Sequence, residues 1–208
     1  MTLLRACLAA VLLVPALAGA ARAQLGPAQP PLPPNGWRVD PNHSGVRFRV
    51  RHLGLTWVNG EFRTWTADLV YDPANQLGAH VTAQIQVASI NTDNDMRDND
   101  LRSPRFFAAD SFPQMTFVST RVEPVDSAHL RITGDLTIHC VTRQVVLETE
   151  FAGKTTSTRS RRIAFSATTT IDRKDWGMMF SPLLEGVRTA GDEVRITIDV
   201  EAVRPSNQ

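Results

Sequence analysis

Residues Ser89–Thr120 read SINTDNDMRDNDLRSPRFFAADSFPQMTFVST. This is the one long interruption in a chain that otherwise alternates like strand after strand, so what it forms decides what the strands are built around. Four acids (Asp93, Asp95, Asp98, Asp100) are interleaved with Arg97 and Arg102, and the stretch then turns aromatic at Phe106, Phe107 and Phe112. Thr92 suits a helix N-cap, and acids in a first turn suit the positive end of the helix dipole. The pattern predicts one or two short helices lying across an opening in a β structure. Leu101, Phe106 and Phe107 would point inward and the acids would face water. Such a plug with an apolar underside implies a space beneath it that holds something apolar.

Outward from this stretch, alternation dominates. In Gly45–Arg51, Val46, Phe48 and Val50 fall on one face and Arg47, Arg49 and Arg51 on the other, the two-residue period of a half-buried strand. Thr56–Tyr71 continues with Val58, Gly60, Phe62 and Thr64 opposed to Trp57, Glu61, Arg63 and Trp65, Gly60 marking a bulge or bend. His80–Ile90 sets Val81, Ala83, Ile85 and Val87 in step. After the interruption come Met115–Val122, Leu130–His139, Arg143–Phe151, Arg162–Ile171 and Val194–Val203, each with one apolar face. About eight strands joined by short turns predict an antiparallel barrel or a sandwich. Small inward residues (Ala83, Gly134, Ala167, Thr169, Ala202) among the large ones favour an all-β barrel with short helices and an apolar interior.

Bulk properties narrow the function. Arg5, the apolar run Ala6–Leu17 and the Ala21-Arg22-Ala23 ending form a secretory signal peptide over residues 1–23, too short for a comfortable membrane span. Residues 24–36 form a Pro-rich disordered leader, the domain covers 37–204, and 205–208 are a tail. No stable membrane span is expected elsewhere, and the predicted location is the periplasm. Cleavage removes Arg5 and Arg22 and leaves basic and acidic residues nearly equal, which argues against capture of nucleic acid by charge. Cys140 then stands without a disulfide partner, so a packed core must hold the fold.

At this point the residues resemble a family. The blocks WRVDPNHSGVRFRVRHLGLTWVNGEF (37–62), Ser89–Thr120, GDLTIHCVTRQVVL (134–147) and IDRKDWGM (171–178) are, in this order and spacing, similar to the YceI-like family of periplasmic polyisoprenoid-binding proteins, over Trp37 to Ala202. The resemblance implies a lipocalin-like antiparallel β-barrel whose interior holds a long isoprenoid chain, such as that of an isoprenoid quinone or a polyprenyl lipid. It implies binding or carriage, with no established catalysis and no cofactor beyond the bound lipid. Cys140 replaces the family's glycine, a departure wherever the turn needs positive φ.

An isoprenoid tail offers only apolar surface, so its site is a continuous lining of aromatic and branched side chains. The candidates are Phe48, Val50, Phe62, Val81, Ile85, Phe106, Phe107, Phe117, Leu136, Phe165 and Ile198, with Trp176 stacking on a ring or packing at the rim. Each is equally an ordinary core residue by composition. Arg97-Asp98 and Asp172-Arg173 are candidates for ion pairs across the mouth that hold the plug shut, or for a lipid headgroup. His43, His52, His80, His129 and His139 have no metal-ligand spacing, and no nucleophile elbow surrounds Ser44. Alternatives remain: a hydrolase or isomerase at the plug using Asp98, His43 or His52, and a structural envelope-stress protein whose barrel is filled by its own side chains. A homodimer through an exposed edge at Met115–Val122 is possible on strand chemistry.

Overall fold

The computed structural model describes residues 31–157, 159–184 and 186–205; the expected signal peptide, most of the expected leader and the last three residues lie outside them. The strands are β1 (Gly36–Val39), β2 (Gly45–His52), β3 (Thr56–Phe62), β4 (Trp65–Val70), β5 (His80–Gln86) and β6 (Ile90–Asn91), then α1 (Asp95–Arg102). There follow β7 (Gln114–Pro124), β8 (His129–Ile138), β9 (Val141–Thr156), β10 (Ser160–Asp172), the small hairpin β11 (Leu183–Leu184) and β12 (Val187–Arg188), and β13 (Ala190–Pro205).

The ladder runs β1-β4-β5-β7-β8-β9-β10-β13 and returns to β1, so the sheet closes. One edge of β13 pairs with β10 over its length. The other takes β2 as far as Asp199–Gly45 and then β1 at Ala202–Val39. β1 with β2, β3 with β4, and β5 with β6 are each one long stave broken by a turn or a kink. Eight staves, each antiparallel to its neighbours in the chain, make an up-and-down barrel, which leaves no long free edge. The edge foreseen at Met115–Val122 is paired along β8, and along β5 as far as Val118.

Alternation explains the inside. Val46, Phe48, Val81, Ala83, Leu136, Ile196 and Ile198 pack from their staves onto a buried cluster built on Phe62, Ile85, Met115 and Phe117. The second stave departs from strict alternation. Phe62 and Trp65 both border the interior, although three residues apart, because Arg63 and Thr64 leave the ladder and bond to Ser89 instead. This shift puts Trp65 inside, where unbroken alternation would place it outside with Trp57. Gly60 forms no bulge, its ladder to Phe48 being regular. It is glycine because a Cβ there would stand 2.4 Å from Cζ of Phe48, and at Gly134 2.3 Å from Cζ of Phe117. The tip of each ring takes the space where a side chain is missing.

One end of the barrel is shut. Trp37 is buried and donates Nε1 to Tyr71 O at 2.9 Å, and the rings of Tyr71, Phe151 and Phe165 meet with centroids 5.0–6.0 Å apart. The chain enters here through ordered backbone: Gly36 N donates to Pro33 O and Tyr71 N to Asn35 O, so the last residues of the expected leader are fixed. The opposite end carries the β2–β3 turn, α1 and its flanks, the β8–β9 turn and residues 173–189. No helix among the described residues is long and apolar enough to cross a membrane.

Candidate functional site: an apolar cavity beneath α1

Inside the barrel lies a cavity of about 480 Å³, within the range of small-molecule sites. Phe48, Val50, Phe62, Val81, Ile85, Phe106, Phe107, Phe117, Leu136, Phe165 and Ile198 all border it. Trp65, Ala67, Leu69, Met115, Ile132, Ile171 and Ile196 border it too; of these Trp65 was hidden by the phase shift. Phe48 tilts against Phe62 at 5.6 Å, and Phe62 meets the edge of Phe107 at 5.9 Å, which carries the aromatic lining up to the plug. Such a wall offers mainly dispersion contacts; His52, Arg97, Asp100 and Arg173 are polar side chains on its border at the mouth end. A barrel filled by its own side chains is thereby excluded.

Trp176 stands elsewhere. The β9–β10 ladder stops at Glu148–Thr168, and above it buried Trp176 borders the groove between the parted strands. Its Nε1 donates to Leu136 O at 3.2 Å. It is part of the wall, and it does not border the cavity.

α1 is the plug, and its chemistry differs from expectation at two positions. Asn94, not Thr92, caps it, accepting from Arg97 N at 2.9 Å. Thr92 instead ties the helix to the barrel. Its N–H and hydroxyl donate to Asp98 Oδ1 at 2.9 and 2.5 Å, while Arg97 donates Nε to its hydroxyl and Nη2 to its carbonyl, both at 2.7 Å. Asp98 is therefore buried rather than in water; its two donors replace hydration. Arg102 fastens the helix end to Ala88 O and Ile90 O. Beyond it, Phe106 meets Phe180 edge-on at 5.4 Å, bringing the plug against the loop before β11.

The two Arg–Asp pairs do not meet across the mouth. Asp172 is exposed and caps the short 3₁₀ turn Arg173–Trp176 by accepting from Lys174 N. Arg173 is buried and donates to Gly191 O, Met178 O, Phe180 O and Asp192. It fixes the mouth loop from within.

Of the residues considered for hydrolysis, His52 borders the cavity at the mouth end, and His43 stands apart from Asp98. His43 lies beside Asp40 in the turn between β1 and β2, with Nδ1 3.0 Å from Asp40 Oδ2, whereas Asp98 is bound to Thr92 under α1 at the mouth. No spacing in the sequence announced the cluster of Asp40, His43 and Glu201, whose ligand atoms lie within 4.8 Å of one another. The Arg162 guanidinium already bridges its two carboxylates, supplying the positive charge such a cluster attracts. Ser44 completes it by exchanging hydrogen bonds with the Glu201 backbone. These residues lock β1, β2, β10 and β13 together.

Comparison with known proteins agrees with this architecture. The YceI-like domain model matches residues 37–202. The chain belongs to the YceI-like family. Protein YceI of Escherichia coli O157:H7 is 34% identical over 163 residues, covering 78% of this chain and 82% of that one. A UPF0312 protein of Vibrio cholerae is 31% identical over the same shares. Among solved structures, the YceI protein of Campylobacter jejuni superposes with a TM-score of 0.66 at 32% identity, covering 74% of this chain and 89% of that one. Two more distant structures share the fold: BcnA of Burkholderia cenocepacia (TM-score 0.68, 22% identity, 78% and 98% covered) and a polyisoprenoid binding domain from Saccharophagus degradans (0.56, 14%, 80% and 97%).

Proposed function

We propose that this YceI-like barrel binds and carries a long-chain isoprenoid lipid, an isoprenoid quinone or a polyprenyl lipid, in its cavity. The observation that carries the proposal is the continuous apolar lining, closed at the Tyr71 end and covered by α1 at the other. Burial of about ten methylenes provides roughly 8 kcal/mol before ordering costs, so affinity needs no polar anchor. Small residues between large ones on the wall (Ala83, Ala167) leave niches suited to a methyl-branched chain. The polyisoprenoid binding domain of Saccharophagus degradans, with the same fold, supports the class of cargo. The export signal over residues 1–23 supports a periplasmic setting, where a lipid needs cover from water. Catalysis forms no part of the proposal.

Trp65 borders the cavity, so a bound quinone ring or tail reports itself there. Titration with an isoprenoid quinone in detergent-free buffer is expected to quench tryptophan emission saturably, with a smaller amplitude in Trp65→Phe. The double variant Ala83→Phe with Ala167→Phe fills the cavity and is expected to keep its circular dichroism and lose the binding. Equal affinity in the filled variant would refute the assignment.

A further inference from the structure

The mouth end of the barrel carries large apolar side chains into solvent. Leu55 at the β2–β3 turn is 74% exposed, Met96 on α1 83%, Met179 61% and Leu183 66%. These come from three segments, the β2–β3 turn, α1 and the stretch leading into β11, all at the end where α1 lies; Leu77 and Val125 are exposed toward the other end. Single exposed hydrophobes are ordinary, but several gathered at the mouth of an apolar cavity mark an interaction surface.

A second feature adjoins them on the outer face of β2, β3 and β13. The guanidinium carbons of Arg51, Arg49 and Arg195 stand 4.0, 4.7 and 4.9 Å from the centre of the Trp57 ring. Arg49 and Arg195 are directly opposite in the ladder, an arrangement that costs stability between like charges. Lower on the same face the charges balance, Arg47 with Asp199 and Arg63 with Glu61. On this face of the sheet near the mouth, among the described residues, Glu193 offsets the three cations through Arg195; the exposed acids Asp95 and Asp175 belong to α1 and to the turn after β10. Arg51 also donates to Leu55 O at 2.7 Å, tying the cluster to the exposed turn tip.

We propose that this end of the barrel docks on an anionic phospholipid bilayer. The exposed Leu and Met side chains enter the upper acyl region, Trp57 lies at headgroup depth, and Arg49, Arg51 and Arg195 contact lipid phosphates. Indole favours that interface, guanidinium matches phosphate oxygens through its planar donors, and a basic cluster is drawn to an anionic leaflet. Docked in this way, the mouth faces the bilayer and a lipid can pass without crossing water. Only that purpose rests on the lipid-carrier reading; the docking itself is measured without any isoprenoid.

The test is flotation of the purified protein with vesicles of phosphatidylcholine alone and of phosphatidylcholine mixed with phosphatidylglycerol, free of isoprenoids. Binding is expected to be much tighter to the mixed vesicles and to weaken with salt. The triple variant Arg49→Gln, Arg51→Gln, Arg195→Gln is expected to lose affinity on the order of 100-fold, each basic side chain counting for roughly fivefold. Leu55→Ser with Met96→Ser should weaken binding at high salt, where insertion dominates, and Arg131→Gln on the distant β8 should leave it unchanged. Equal binding to both vesicle types, or undiminished binding by the triple variant, overturns the proposal. So does a dimer in solution that the triple variant abolishes while vesicles are not bound, which would assign the face to a second copy of the chain. Quinone titration of the triple variant separates the two readings: intact cavity binding there leaves the carrier reading standing whatever the vesicles show.

Discussion

His139 and Cys140 form the two-residue turn between β8 and β9, with φ of 52° and 57°, the left-handed pair that a tight hairpin demands. Alternation carries the predicted strand through His139. The sign of a turn there was the glycine that the family resemblance implies at the position of Cys140. A non-glycine in this region costs on the order of 1 kcal/mol. Cys140→Gly is therefore expected to raise the unfolding free energy by up to about 1 kcal/mol, measured by urea denaturation. Gly60→Ala and Gly134→Ala should act in the opposite sense, since each new Cβ meets a ring of the lining; a loss of about 1–3 kcal/mol is expected. Asp40 sets a pH limit. Its carboxyl is held below the usual range first by the hydrogen bond from His43 and then by Arg162, and that of Asp126 by the N–H of Ala128 and by His129. A depressed folded-state pKa adds stability above the unfolded value of 3.8, and that stability is lost as pH falls through the lower folded value. The thermal midpoint should thus drop below about pH 4, and Asp40→Asn should lower it near neutrality and flatten the acid limb.

At the scale of elements, α1 and the phase of the second stave show where local sequence runs out. Thr92 and Asn94 are both good caps and lie two residues apart; only the barrel beneath decides that Asn94 caps and Thr92 binds Asp98 and Arg97. The acid run reads as a solvated face, and nothing local marks Asp98 as the one that turns inward. Trp65 was misplaced for a related reason: Arg63 and Thr64 leave the ladder for Ser89, a partner 25 residues away. Asp98→Ala leaves the Thr92 donors unpaired, which costs about 1–3 kcal/mol. Hydrogen exchange over residues 94–103 should accelerate accordingly while the exchange of β8 and β9 is unchanged. Arg173→Met removes the donor shared by four acceptors in the mouth loop and should release residues 178–191 to faster exchange. Protection of those residues equal to the parent's would show that the guanidinium is not what holds the loop.

For the whole molecule, the sequence was most informative. Seven of the eight alternating runs, their inward faces and most of the cavity wall could be read from period alone, because each stave is wet on one side and apolar on the other. Closure could not: it depends on β13 taking β10 on one edge and both β2 and β1 on the other. Nor does composition distinguish a lined cavity from a filled core, since both use the same side chains. The central claim is that this space holds an isoprenoid chain, and it is tested most directly by mass spectrometry of an organic extract from protein purified without detergent. The account predicts one isoprenoid quinone or polyprenyl species near equimolar with the parent chain, and its absence from the Ala83→Phe, Ala167→Phe variant. An extract with no isoprenoid from the parent, joined to failure of added quinone to bind, would contradict it.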